Sequence, residues 1–329
     1  MNLTVIAAGA WGTALAITFS ARHRVTLWTR EEDVTQSMQV ERENRHFFPG
    51  YRFPDALQIG TVFDSSVADA DLLILATPLI GFRSTLRMLA DARQVKPLIW
   101  VCKGMEAGTA KLPHQVVAEE LGDEVLCGSL SGPSFAEEVA KGLPTAITLA
   151  SRNADFARQT ALELHSSRLR IYANDDLTGV EVGGAVKNVM AIATGICDGL
   201  GLGHNARAAL MTRGLAEIAR LGVALGGHPN TFMGLAGMGD LLLTCTGDLS
   251  RNRQVGLALA KGRKLPQILA ELGHVAEGVS TAREVARLAG QLEIEMPITQ
   301  AVDAILHRDV PASEAVEQLL NRDPKTEIQ

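Results

Sequence analysis

The stretch VIAAGAWGTALA, Val5 to Ala16, carries glycines at Gly9 and Gly12, with Ala7 two positions before them. That is the spacing G-x-G-x-x-G with its first letter changed. Between a strand and a helix, the three glycines of this turn have separate tasks: the tight turn, close approach of backbone to a pyrophosphate, and close helix–strand packing. Gly9 and Gly12 keep the second and third tasks. Phosphates are then received at a helix N-terminus, where unpaired N–H groups and the helix dipole favour negative charge. If the turn demands a glycine-like backbone at Ala7, strain on the order of 1–3 kcal/mol follows, without loss of the cradle.

Outward from this turn the first half alternates apolar runs with helical patterns. Leu3–Ala7, Val25–Trp28, Leu72–Ala76, Leu98–Cys102 and Val125–Cys127 are expected strands. Most are continuous apolar runs, as in a sheet covered on both faces. Gly12–Ser20, Ile80–Leu89 and Leu112–Leu121 are expected helices between them. Ala146–Ala150 and Leu169–Tyr172 extend the sheet, with a helix at Ala154–His165. This is the alternation of a doubly wound, Rossmann-like parallel sheet. After Asp176 strand signals cease, and helical stretches follow: Val180–Ala193, Asn205–Ala224, Arg253–Ala260, Pro266–Leu272, Thr281–Leu288 and Thr299–His307. The fold class expected is therefore α/β followed by an all-α C-terminal domain, divided as 1–178 and 179–329.

Composition narrows the function. A chain of 329 residues with 47% hydrophobic and 21% charged residues is an ordinary globular protein long enough for two domains. Its net charge of −6 argues against a nucleic-acid or anionic-membrane surface. The cysteines Cys102, Cys127, Cys197 and Cys245 form no C-x-x-C pair and lie in apolar runs. They read as buried free thiols of a reducing compartment, with no metal site. Leu3 to Ala21 is uncharged, yet no basic residue precedes it and it is rich in small and polar residues. A strand and a buried helix explain it better than a signal peptide or membrane span. A cytoplasmic protein without a membrane span is expected.

Polar residues inside apolar surroundings mark the chemistry. At the end of the second strand stands Arg30, where an acid commonly holds the ribose of NAD. An arginine there suits the extra phosphate of NADP, although Glu31 and Glu32 follow at once, so NADPH is favoured and NADH left open. In EVGGAVKNVMAIATG, Lys187 sits in an apolar helical run, and from the residues alone it is expected to snorkel to solvent. In GLAGMGDLLLTCTGDLSRNR, Asp240 follows a glycine-rich turn, and Ser250, Arg251 and Asn252 open a helix. Asp240 alone reads as a cap and Arg251 alone as a surface charge. Together the two stretches offer a lysine proton donor, a carboxylate to orient it and an arginine fork for phosphate. The Rossmann half adds CKGME (Cys102–Glu106) and LSGPSFAEEV (Leu130–Val139), both after strands, where open α/β sheets place ligands. The Gly132-Pro133-Ser134 turn leads into a helix whose first N–H groups could take an anion.

Taken in order, K-G after a strand, S-G-P-S-F-A, V-K-N, G-x-G-D-L-x-x-T-C and S-R-N-R make the chain similar to soluble bacterial NAD(P)-dependent glycerol-3-phosphate dehydrogenases, from Val5 to about Leu320. The resemblance implies reduction of dihydroxyacetone phosphate by NADPH or NADH, with Lys187 as proton donor and Asp240 beside it. It implies a small-molecule phosphate substrate lined by Lys103, Gly132, Ser134, Lys187, Asp240, Ser250, Arg251 and Asn252. The cofactor would face Gly9, Ala10, Trp11, Gly12, Arg30, Lys103, Ala136, Arg251, Val275 and Glu277. Family members usually have glycine in place of Ala7 and serine in place of Ala10, which bears on cofactor affinity. Apolar helical domains of this type often pair, which makes a homodimer one expectation. A β-hydroxyacid or phosphogluconate-type dehydrogenase, and a non-catalytic cofactor sensor, are the rival readings.

Overall fold

The computed structural model describes residues 1–272, 276–323 and 326. Its first half is built on eight strands: β1 Asn2–Ile6, β2 Arg24–Trp28, β3 Gln58–Gly60, β4 Leu72–Leu75, β5 Leu98–Trp100, β6 Cys127–Ser131, β7 Thr145–Ala150 and β8 Leu169–Asn174. They lie in the order β8-β7-β6-β5-β4-β1-β2-β3. Reading from β3, the first six follow the 3-2-1-4-5-6 order of a doubly wound dinucleotide-binding sheet. β1, at the point where the order reverses, pairs with β2 on one side and β4 on the other, both parallel. Its residues Leu3, Val5 and Ile6 are wholly buried because helices cover both sheet faces.

The apolar runs located most strands to within two residues, and three differences have physical causes. The strand expected at Val125–Cys127 starts at Cys127 and runs through Gly128-Ser129-Leu130-Ser131. Small, buried hydroxyl residues thus do work assigned to aliphatic ones. β3 escaped notice because an edge strand of three residues needs no apolar pattern. The sheet is also not wholly parallel, since β7 runs antiparallel to β6, with Ser129 opposite Ala150. In the 132–144 link the short helix Ala136–Ala140 packs on the helix Ala10–Phe19 instead of crossing the sheet, and the strand must return the other way. β8 then pairs parallel to β7 through the helix Ala154–Leu164. Leu3 to Ala21 is the strand and helix expected of it.

Beyond β8 all regular structure among the described residues is helical. A central helix, Leu177–Gly199, is buried on every side for nearly its whole length. It is long and apolar enough to cross a membrane, but its apolar window is entirely enclosed by the protein. Helices Gly203–Ala224, Asp240–Thr246, Arg251–Ala260, Glu277–Gln291 and Pro297–His307 pack around it. The Ala312–Leu320 helix, which packs on Pro297–His307, is not among the helical stretches expected from the sequence, and Asp240–Thr246 is marked there only by the reading of Asp240 as a cap.

The two halves share material. Met105, Ala110 and Leu112, from the loop after β5, belong to the core formed by Val182, Val186 and Val189 of the central helix. In the other direction, Leu177 and Val180 join the cluster that covers one face of the sheet. The buried carboxylate of Glu181 accepts from the backbone N–H of His114 at 3.0 Å, tying the central helix to the helix Pro113–Leu121.

Candidate active site

The turn after β1 has the geometry needed for a pyrophosphate. Gly9 is the extended N-cap of the helix Ala10–Phe19, and the first intrahelical bond is from Thr13 N to Gly9 O at 2.9 Å. The N–H groups of the first turn are therefore not used within the helix. A Cβ added at Gly9 would meet nothing within 4 Å, so the space over this N-terminus is clear. At Gly12 a Cβ would strike Ala7 O and lie 2.8 Å from Ala76 Cβ, which explains the glycine in the third place. Asn44 braces the turn from outside the fingerprint, donating to Ala8 O at 2.6 Å and to Thr13 Oγ1 at 2.9 Å. Its partners lie more than 30 positions away, so no local spacing could reveal it.

Ala7 has φ of 83°, in the left-handed region, and its N–H donates to Trp28 O at 2.8 Å. The turn does demand a glycine-like conformation, and an alanine supplies it under strain of about 1 kcal/mol. Ala7→Gly should raise stability by about that amount, or tighten cofactor binding. A melting temperature and a cofactor Kd both unchanged would show that the turn accommodates alanine freely.

At the end of β2 the Arg30 guanidinium is exposed and lies 4.0 Å from Met88 Sδ. Glu31, also exposed, accepts a hydrogen bond from Thr29 Oγ1 on one carboxylate oxygen. At the adenine-ribose end Arg30, Glu31 and Glu32 are all exposed, and Arg30 takes part in no ion pair among the described residues.

The chemical centre lies where the halves meet. Lys187 points inward from the central helix and is 6% exposed. Its ammonium donates to Asp240 Oδ1, and to Thr244 Oγ1 at 2.9 Å. Lys103, from the C-terminal end of β5, donates to Asp240 Oδ2 at 2.6 Å. One carboxylate thus bridges two ammonium groups, one from each half. Gly184 lies beside them, where an added Cβ would come to 3.2 Å from Ser131 Oγ and 3.4 Å from Lys103 Cγ. The snorkelling expected of Lys187 is overturned: the helix has no wet face for the side chain to reach, and Asp240 supplies the compensating charge.

Desolvation is the largest influence on Lys187; Asp240 pulls its pKa up and Lys103 down, and the result is about 7. Burial pushes the Asp240 carboxyl upward, but the two lysines outweigh it and hold the acid below its ordinary range. The Glu277 carboxyl is raised by burial, against the pull of Arg251. Its Oε1 lies 3.5 Å from Leu79 N, at the start of the helix Leu79–Asp91.

Other expected residues divide. Asp240 opens its helix but caps nothing, since its oxygens are spent on the lysines. Ser250 is the cap, accepting from Arg253 N at 3.3 Å. Asn252 is buried and accepts from Gly278 N at 3.1 Å. Arg251 is exposed and takes part in no ion pair among the described residues, whereas Arg253 is bound to Asp198 at 2.9 Å. The two arginines of S-R-N-R therefore separate into one available for a ligand and one structural.

Gly132 has φ of 136° at the end of β6, and Ser134 Oγ donates to its carbonyl at 3.0 Å. The helix that follows, beginning at Ala136, has five residues with Glu137 and Glu138 in its first turn. Trp11 lies half-buried against one face of the sheet. Val275 lies outside the described residues. Thr244 was missed, although its place four residues after Asp240 puts both on one helix face. Cavities of about 650, 790 and 950 Å³ open elsewhere and include none of Lys103, Lys187 and Asp240. Chemistry, not cavity size, identifies the site.

Comparison with known proteins identifies the family. Residues 2–157 match the family model described as NAD-dependent glycerol-3-phosphate dehydrogenase N-terminus, and residues 176–317 match its C-terminus counterpart. A glycerol-3-phosphate dehydrogenase [NAD(P)+] of Dechloromonas aromatica is 65% identical over 328 residues, covering 100% of both chains. One from Aromatoleum aromaticum is 59% identical, covering 93% of this chain and 94% of its own. The crystal structure of a glycerol-3-phosphate dehydrogenase from Coxiella burnetii superposes with a TM-score of 0.92 at 42% identity, covering 98% of this chain and 99% of that one.

Proposed function

The chain belongs to the NAD-dependent glycerol-3-phosphate dehydrogenase family, and from that premise we propose how its own residues divide the work. It is an NAD(P)-dependent oxidoreductase that interconverts dihydroxyacetone phosphate and glycerol 3-phosphate, the backbone unit of phospholipids. The observation that carries the assignment of roles is the Lys187–Asp240–Lys103 bridge at the junction of the halves.

Gly9, Ala10, Trp11 and Gly12 would receive the pyrophosphate at the first helix, and Arg30 the adenine-ribose end, with Ala136, Glu277 and Val275 completing the cofactor lining. When bound, the nicotinamide cofactor supplies the hydride. Arg251 holds the substrate phosphate through its planar fork, with Asn252 and Ser250 shaping the helix start beneath it. Lys103, Gly132 and Ser134 line the substrate from the sheet side. Lys187 stabilises the oxygen at C2 as charge builds on it and delivers the proton; Asp240 and Thr244 aim the ammonium. A pKa near 7 lets the same lysine give the proton in reduction and accept it in oxidation.

The unencumbered Arg30 supports a preference for NADPH over NADH. We further place the enzyme in the cytoplasm, with the nucleotide-binding unit over 1–178 and the substrate unit over 179–329. We propose a homodimer as the expected assembly, since apolar helical domains of this type often pair.

The test is an absorbance assay with dihydroxyacetone phosphate and either nucleotide. Arg251→Ala should raise the substrate KM by roughly tenfold to a hundredfold, the weight of a charged hydrogen-bonded contact. An unchanged KM would remove Arg251 from the phosphate site.

A further inference from the structure

The loop that carries Lys103 leaves the sheet and enters the opposite half, with Met105, Ala110 and Leu112 in the helical core. Its backbone passes through positive φ at Gly104 (131°), Gly108 (82°) and Ala110 (57°), a path that regular structure does not hold. The loop closes on itself through Glu106 N to Lys111 O and Ala110 N to Glu106 O, both 2.9 Å, and two carboxylates tie it to the two halves. Glu106, within the loop, is gripped by Arg83 through two contacts of 2.7 Å, both from the sheet half. Glu284, on the helix Glu277–Gln291 of the other half, accepts from Gly108 N at 2.8 Å.

Glu284 is 5% exposed, with Arg287 at 3.1 Å on its second oxygen. A carboxylate is expensive to enclose, and water could satisfy a loop N–H at no such cost. Its helix touches the loop again one turn earlier, where a Cβ on Gly104 would meet Thr281 Oγ1 at 2.9 Å. One turn further back is Glu277, which the preceding reading assigns to the cofactor. Spacings of four and three residues place Glu277, Thr281 and Glu284 on one face.

We infer that Glu284 is a positioning residue for Lys103: by fixing Gly108 across the interface it holds the loop so that Lys103 stays bound to Asp240. The inference rests on the proton role proposed for Lys187. The charged and titratable groups facing Lys187 are Asp240 and Cys245 on one helix, Lys103 from the loop, and Glu277 from the Glu277–Gln291 helix. If the loop slackens and Lys103 withdraws, Lys187 loses a neighbouring cation and keeps its proton to higher pH.

The experiment compares the pH dependence of kcat for reduction in wild type, Glu284→Ala, Glu284→Gln and Lys103→Met, with thermal denaturation alongside. Glu284→Ala should lower kcat by roughly tenfold, as expected of a small misplacement in the site. It should also move the alkaline limb to higher pH, the direction in which Lys103→Met moves it. Glu284→Gln, whose amide oxygen still accepts from Gly108, should recover most of the rate and the wild-type limb. A Glu284→Ala enzyme that melts lower but keeps its kcat and limb overturns the inference, as does failure of glutamine to rescue.

If Lys103→Met leaves the limb in place, the proton reading fails separately. The double variant then decides the positioning: no slower than Lys103→Met alone supports it, additive losses refute it. Should Glu284→Ala not fold, Glu284→Asp, a methylene too short for Gly108, makes the same comparison.

Discussion

Lys187→Ala should reduce turnover by at least roughly a thousandfold while leaving the cofactor Kd within about twofold, because proton delivery and charge stabilisation at C2 vanish together. The side chain is mounted on the most enclosed helix of the protein and reaches the cleft through a bond to Asp240 and another to Thr244. No other described ammonium occupies that place. Lys103, on the far oxygen of Asp240, approaches from the sheet side. The wild-type pH profile should carry the same signature. Reduction needs the protonated lysine, so its rate should fall as pH rises through about 7, and oxidation, which needs the free amine, should rise through the same point. Stopped-flow cofactor titration and steady-state kinetics on the alanine variant decide the matter. Turnover near that of wild type would remove Lys187 from the chemistry.

The second large effect is on stability as well as rate. Asp240→Asn leaves two ammonium groups facing a neutral amide in a nearly waterless site. Breaking a buried pair on one side costs about 3–5 kcal/mol, much of it the price of the orphaned charge. Losing the carboxylate also removes the strongest influence that raises the Lys187 pKa against burial, so the lysine should be mostly neutral at pH 7 and reduction should stall. The sign of the stability effect follows. A lysine whose folded pKa lies below its ordinary 10.5 binds fewer protons folded than unfolded between those two values, so stability rises with pH across that window. In Asp240→Asn the window opens further toward acid, and the deficit against wild type should be greatest below pH 7. Denaturant titrations at pH 6 and pH 9 giving the same difference from wild type would contradict this.

Much of this architecture was legible from local pattern. Continuous apolar runs locate strands buried on both faces, and Gly9 with Gly12 fixes the turn, since only one arrangement of strand and helix needs both. Even the strain at Ala7 could be read, because the position's geometry is dictated by its neighbours. Local pattern fails where long-range context decides. The strand through Ser129 and Ser131 looks like a loop until its neighbours bury it, and the reversal of β7 depends on where a five-residue helix docks. Lys187 could not be distinguished from a snorkelling lysine, because its partner lies 53 residues away and the wall of helices around it is set by the whole second half. Asn44 and Glu284 share that character, each acting on a backbone group remote in the chain.

The intrusion of the Lys103 loop into the helical core also bears on how the chain is made. During translation the nucleotide half emerges first, yet Met105, Ala110 and Leu112 have no partners until the central helix has cleared the ribosome. Severed after β8, the first half would display these side chains to solvent and would be prone to aggregate. A gene fragment ending there is therefore a poor source of an isolated nucleotide-binding module, and the second half finishes the first.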